Sequence, residues 1–204
     1  MVYPSYYNGP VSYYARLIRE KEIILEQYEN YTKQTYRNRC LVMGPNGILP
    51  LVIPVLRRKG EKTLVKDVRI DYDAPWNRIH WKSLEAGYAS SPFFEFMKDE
   101  LYHCYSRQFR YLVDLNMALV EKTLHLLGMK IPVDLSASFS VPGKNDPGSC
   151  IHPKKDPRIY DPAFRPVRYH QVFADRLGFR SNLSILDLLF NEGPGAAVIL
   201  AGSL

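Results

Sequence analysis

Apolar residues recur along the chain at helical spacing in its central third. Val113, Met117, Val120, Leu124 and Leu127 form one stripe with Gly128 behind it, which predicts a helix from about Tyr111 to Leu127. Its opposite face carries Asp114, Glu121 and His125, and the Glu121/His125 spacing reads as an exposed ion pair before a metal site. Phe94, Met97, Leu101 and Cys104 form a second stripe, opened by Ser91-Pro92, a capping residue before a proline at the first helical position. That places the Cys104 thiol in packing, not in chemistry. Asp73 reads as the N-cap of a further helix through Tyr88, and residues 13 to 19 suit a short one. Ser184 with Asp187 reads as a capping box opening a helix through Phe190, which gives Asp187 a structural reason to exist.

The flanking thirds carry strand signals. Ile23 to Glu26 reads as a buried strand, and Val68, Ile70 and Tyr72 alternate with Arg69 and Asp71 at the period of two that puts one face on a core. Arg39 to Met43 and Ile48 to Val55 flank Gly44-Pro45-Asn46-Gly47, which predicts an antiparallel hairpin. Pro50 and Pro54 cannot donate to a ladder, so the second strand belongs at an edge or a bulge. Between residues 132 and 166 fall seven of the 15 prolines, without helical or strand period. A segment of that length is expected to be functional or poorly ordered. Val167 to Phe173 reads as a closing strand. The pattern predicts one α+β domain over residues 1–204: a mixed β-sheet built mainly from residues 1–72, covered by helices over 74–128, then the Pro-rich segment and a closing strand and helix over 167–204.

Composition changes this picture little. The chain has 204 residues, 46% hydrophobic and 24% charged, which is ordinary for a globular protein and excludes disorder as the whole answer. No window approaches the roughly 20 apolar residues of a membrane span, and Met1 to Tyr6 lacks the basic and apolar parts of a secretory signal. A cytoplasmic protein is expected. Cys40, Cys104 and Cys150 are odd in number, widely spaced and without a CxxC pair, which speaks against a disulfide framework or a zinc cluster. Charge matters more, because the net +6 lies almost wholly in residues 1–68, where 11 Lys and Arg face 6 Asp and Glu. Such an excess is either a solvated face or a site for an anionic ligand.

Motifs exclude several activities. There is no glycine-rich dinucleotide or P-loop pattern, no HExxH, no GxSxG and no calcium loop. No cofactor is implied by any motif, and no metal site is expected. Three constellations remain. Residues 28–39 hold three cations and three tyrosines. If extended, they place Tyr31, Lys33, Thr35, Arg37 and Arg39 on one side, a row of donors for a carboxylate or phosphate; the alternative is an edge strand guarded by charge. Residues 71–83 put Trp76, Ile79, His80 and Ser83 on one helix face. His80 there is either a proton carrier near neutral pH or a core histidine held by hydrogen bonds. In Tyr169-His170-Gln171-Val172-Phe173, Gln171 between two aromatics either closes a pocket or pairs with backbone.

Taken in order, several stretches resemble the WbqC-like protein family. They are Pro4-Ser5-Tyr6-Tyr7, Ser12-Tyr13-Tyr14, Glu26-Gln27-Tyr28 with Lys33 and Asn38-Arg39, Leu51-Val52-Ile53-Pro54-Val55, Trp76 to His80, Ser91-Pro92-Phe93-Phe94, and Asn182 through Gly193. The resemblance implies a role in bacterial O-antigen or surface-polysaccharide production, as an acyl- or aminoacyl-transferase, with glycine one candidate group, acting on an amino sugar. Carried onto this chain, it points to Tyr6, Gln27, Lys33, Asn38, Arg39 and Gln171 for substrate binding and to His80 for taking the proton from the attacking amine. Many relatives open with His-Gln-Pro where this chain has Val2-Tyr3-Pro4, so a histidine there is not available to it. The expected partners are an anionic, nucleotide-linked sugar, an acyl donor and, through an exposed strand edge, a second copy of the chain. The competing reading is a non-catalytic subunit that binds a nucleotide, a carrier protein or RNA. A net charge of +6 without the motifs of RNA or DNA readers speaks against nucleic acid.

Overall fold

A computed structural model describes residues 1–56, 62–140 and 151–204. The chain opens with strand β1 (Val2–Pro4), helix α1 (Val11–Leu17) and strand β2 (Ile23–Glu26). A hairpin of β3 (Arg39–Gly44) and β4 (Gly47–Val52) follows, then the short strands β5 (Val55–Leu56) and β6 (Arg69–Ile70). Next come helices α2 (Trp76–Tyr88), α3 (Phe94–Ser106) and α4 (Leu112–Leu126), and strand β7 (Val133–Leu135). Single turns α5 (Pro157–Tyr160) and α6 (Ala174–Leu177) precede α7 (Ile185–Glu192) and α8 (Ala196–Ala201).

The α+β class is as the pattern predicts, with the strands shared among three small sheets in place of one. β1, β2 and β7 form a parallel sheet in the order β1-β2-β7, with Val2 opposite Ile24 and Ile23 opposite Val133. β3 pairs antiparallel with β4, and β5 with β6. Parallel neighbours need a crossover: α1 supplies it between β1 and β2, and residues 27–132, with the hairpin and α2 to α4, supply it between β2 and β7. One apolar core takes side chains from Tyr3 at one end of the chain to Leu200 at the other, and much of its bulk is tyrosine.

The hairpin forms where the turn residues predict it. Gly44 pairs with Gly47, whose φ of +122° lies in the region glycine tolerates. Pro50 opposes Leu41 on the unpaired side of the ladder, the position left to a proline. β3 lies against α2 at Gly87, where a Cβ would come within 2.7 Å of the Met43 carbonyl oxygen. α3 buries Phe94, Met97, Leu101 and Cys104 as its stripe requires, and α4 buries Val113, Val120 and Leu124.

Four local expectations are corrected. Asp73 does not cap α2, which starts after Pro75; Asp71 Oδ1 accepts the Asp73 N–H instead. Ser91 closes α2 by donating to the Tyr88 carbonyl at 2.7 Å, and α3 begins after Phe93 without a side-chain cap. His125 pairs with Glu100 across the helix interface at 3.4 Å, in place of Glu121 on its own helix. Val167 to Phe173 is not a strand; the third parallel strand is Val133–Leu135, inside the Pro-rich segment. Cys150 and the prolines at 142 and 147 lie outside the described residues. No helix among the described residues is long and apolar enough to cross a membrane.

Candidate functional site

The carboxyl ends of parallel strands are where open sheets most often receive ligands, because the chain leaves them in loops that backbone pairing no longer constrains. In this chain β1 runs out into Ser5-Tyr6-Tyr7, β2 into Gln27-Tyr28-Glu29 and β7 into Ser136. Glu26, buried at the end of β2, knits these exits together: its carboxylate accepts the Tyr28 N–H at 2.7 Å, the Ser136 hydroxyl at 3.0 Å and the Ser140 N–H at 2.9 Å. Gln27 does the same work from the next position, donating its amide to the Ser136 carbonyl at 2.6 Å.

Beyond these exits residues 33–38 form turns and not the extended row the sequence suggested, so their cations part company. Arg37 turns inward and meets the Glu29 carboxylate through two nitrogens, at 2.8 and 2.5 Å, and its backbone carbonyl accepts from Asn116. It is a neutralised, structural arginine. Asn38 is also structural, exchanging with Ile53 through its side-chain amide and backbone carbonyl, both at 2.8 Å. Lys33 is exposed. Arg39, at the start of β3, is half-buried, and its Nε is inaccessible to solvent and without a hydrogen-bond partner among the described residues.

Tyr6, fully buried, ties the region to the core. Its ring lies 5.8 Å from Tyr36 and 4.9 Å from Tyr13, while its hydroxyl donates to the carbonyl of Ile151 at 3.1 Å. This bond lays the segment from Ile151 onward across the strand exits. Lys154 donates to the Gln34 side chain at 2.9 Å, and Arg16 grips the buried Asp161 through two bonds of 2.6 and 2.5 Å. The segment thereby delivers His152, which sequence reasoning missed. Partial burial, then the charges of Lys155, Lys154 and Arg39, hold the His152 imidazole below its ordinary pKa. Among the described residues, no carboxylate acts on it in compensation. The adjoining Lys154-Lys155 was the only sequence signal that pointed there.

His80 lies elsewhere. It is 4% exposed, between Tyr7 and Trp76, with Nδ1 at 2.9 Å from the Tyr7 hydroxyl and a further hydrogen bond to the Val52 backbone. Burial pushes its pKa down to about 4. Tyr7 in turn meets the Tyr105 hydroxyl at 3.1 Å, which also accepts from Asn8 at 2.9 Å. This is the core-histidine alternative in full: a neutral, solvent-shielded imidazole inside a hydrogen-bonded polar chain. Gln171 is apart as well. Its amide donates to Asp187 at 2.7 Å and to the Arg180 carbonyl at 2.9 Å, and its oxygen accepts the Arg180 N–H. Asp187 is wholly buried and takes donors from Tyr88, Tyr169 and Gln171, so it is a structural hub and not the return half of a capping box. Burial lifts the thiols of Cys40 and Cys104 above their usual pKa, which removes the thiolate a nucleophile needs.

The structure thus links Tyr6 and Arg39 only through the Ile151-His152 segment, leaves Lys33 exposed on the turn before Gln34, and puts His80, Asn38 and Gln171 in supporting positions. The class is α+β, with a three-stranded parallel sheet. The chain belongs to the WbqC-like protein family, whose model matches residues 5–155 and so includes Tyr6, Arg39 and His152. The uncharacterized protein Rv1507c of Mycobacterium tuberculosis (strain ATCC 25618 / H37Rv) is 26% identical over 201 residues, covering 86% of this chain and 85% of that protein. No solved structure matches the chain.

Proposed function

We propose that this chain binds a phosphate-bearing, nucleotide-linked amino sugar at the Arg39–His152 surface. In this reading it serves acyl or aminoacyl transfer, with glycine one candidate group, in bacterial O-antigen or surface-polysaccharide synthesis in the cytoplasm. The observation that carries the binding half is Arg39, a half-buried guanidinium whose Nε has no hydrogen-bond partner among the described residues and which lies near enough to His152 to act on its charge. Holding such a group desolvated beside like charges is unfavourable until an anion arrives. Arg39 would take phosphate oxygens in its planar fork, His152 would donate from its ring, and Lys33, Lys154 and Lys155 would raise the local anion concentration.

A second reading keeps the ligand and drops the chemistry. It is favoured by the enclosure of His80 and of the Cys40 and Cys104 thiols, which takes the expected base and both described thiols out of reach of a bound substrate. Calorimetry with UDP-glucosamine, whose 2-amino group is free to be acylated, with and without Arg39→Ala, tests the shared part. Removing the charge-assisted hydrogen bonds of Arg39 weakens binding by about 1.5–3 kcal/mol, roughly 10- to 150-fold. Unchanged affinity in the variant ends both readings. Binding of the sugar nucleotide without turnover, in the presence of glycine thioesters of coenzyme A or of a carrier protein, selects the second.

A further inference from the structure

The Arg39 surface makes no use of the groove between α2 and α3. Positions 77, 78, 81, 82 and 85 of α2 fall along one side of the helix, and Tyr102 and Tyr105 face them from α3, enclosing a cleft of about 330 Å³. That is the lower end of the range for small-molecule sites, about 300–1,000 Å³. Its floor is aromatic. The Trp81 ring lies 4.9 Å from Tyr102 and 5.4 Å from Tyr105, and Tyr102 keeps 46% of its surface open to solvent.

The polar groups around this floor are unevenly satisfied. Glu85 accepts the Trp81 indole N–H at 2.9 Å through Oε1, which fixes the ring and leaves Oε2 without a hydrogen-bond partner among the described residues. Asn77 donates its amide to the Tyr105 carbonyl at 2.9 Å, which fixes its orientation and leaves the side-chain oxygen as an acceptor. Arg78 and Lys82, one turn apart and exposed, have no ion-pair partner among the described residues. The cleft therefore offers a stacking surface, two acceptors and two cations. A planar ring that carries an amino group and an anionic tail complements all three, because the ring stacks, the amino group donates and the tail pairs with Arg78 and Lys82.

We propose that the α2–α3 cleft binds a nucleoside monophosphate with an amino-bearing base. The base stacks on the exposed Tyr102, beside the edge of the mostly buried Trp81, its amino group faces Glu85 and Asn77, and the phosphate meets Arg78 and Lys82. The site is independent of the Arg39 surface. Titration of the full chain with AMP, followed by tryptophan fluorescence and calorimetry, is expected to give saturable binding. Inosine monophosphate, which lacks the amino group, and adenosine, which lacks the phosphate, are each expected to bind at least fivefold more weakly. The Arg78→Ala/Lys82→Ala double variant changes exposed side chains only. It is expected to raise the AMP Kd at least tenfold at unchanged melting temperature, while Arg39→Ala leaves that Kd where it was. Absence of AMP binding at millimolar concentration overturns the proposal. So does equal affinity for AMP and inosine monophosphate, unchanged affinity in the double variant, or loss of AMP binding in Arg39→Ala, the last of which assigns the nucleotide to the other surface.

Discussion

The Tyr88 hydroxyl donates to Asp187 Oδ1 at 2.8 Å while it accepts the backbone N–H of Met43 at 2.9 Å. One phenol thus joins the end of α2 to the hairpin and to α7. Asp187 collects two more donors, from Tyr169 and Gln171, and among the described residues no cation is among the groups acting on it. Asp187→Ala leaves several buried donors without an acceptor. The expected loss is about 3 kcal/mol, or a fall in melting temperature of roughly 6–12 °C for a chain of this size, measured by calorimetric or fluorescence-detected unfolding.

The same carboxyl has a pH signature. Burial raises its pKa above the ordinary value of 3.8, so the folded state binds its proton more tightly than the unfolded state. Its contribution to stability is then fully present below 3.8 and is lost as pH rises through the raised value. Urea unfolding at a series of pH values is expected to show this decline in the parent chain and not in Asp187→Asn.

His80 acts in the opposite direction. Its pKa falls from 6.5 to about 4 on folding, so it contributes stability that is present above 6.5 and lost as pH drops through 4. The difference corresponds to about 3 kcal/mol. His80→Gln is expected to flatten the stability profile between those limits, and to leave sugar-nucleotide affinity unchanged when folded protein is titrated.

His152 couples binding to protons. Partial burial and the neighbouring Lys155, Lys154 and Arg39 lower its pKa in the free protein, and a bound anion relieves that repulsion and raises it. Affinity for inorganic phosphate or a sugar nucleotide is therefore expected to increase as pH falls toward 6, with proton uptake detectable by calorimetry in buffers of different ionisation heat. His152→Ala is expected to remove this pH dependence.

Gly87→Ala probes the approach of α2 to β3. The added Cβ would lie 2.7 Å from the Met43 carbonyl oxygen, and backbone there is tied to Tyr88, so the helix must shift. A destabilisation of about 1–3 kcal/mol is expected, read from the urea midpoint.

What was legible in the sequence was what local chemistry decides. The hairpin follows from Gly44-Pro45-Asn46-Gly47 between apolar runs, and α4 from an unbroken stripe that ends at Gly128. β7 was hidden because Pro132 precedes it and its three residues have too little length for a period; only pairing with β2 makes it a strand. Val167 to Phe173 had strand composition, yet Tyr169 and Gln171 take up their polar groups on Asp187, and the His170 N–H goes to Glu192 at 2.8 Å instead of a ladder. For the site, Lys33 and Arg39 were visible as unpaired charge, whereas Arg37 looked alike until its fold placed Glu29 beside it. His152 stands 113 residues beyond Arg39 in the sequence, and no spacing rule connects them.

The order of the parallel sheet has a consequence for biosynthesis. Its central strand, β2, ends at Glu26, and its second neighbour, β7, begins at Val133. A chain emerging from the ribosome can pair β2 with β1 early, but one long edge of β2 stays open until more than a hundred further residues have been made. Contacts at that separation close slowly, and an open apolar edge is prone to pair with other chains. Fragments that stop before β7 are therefore expected to aggregate during synthesis, while those that include residue 140 acquire both the completed sheet and the Ser136 and Ser140 donors that satisfy Glu26.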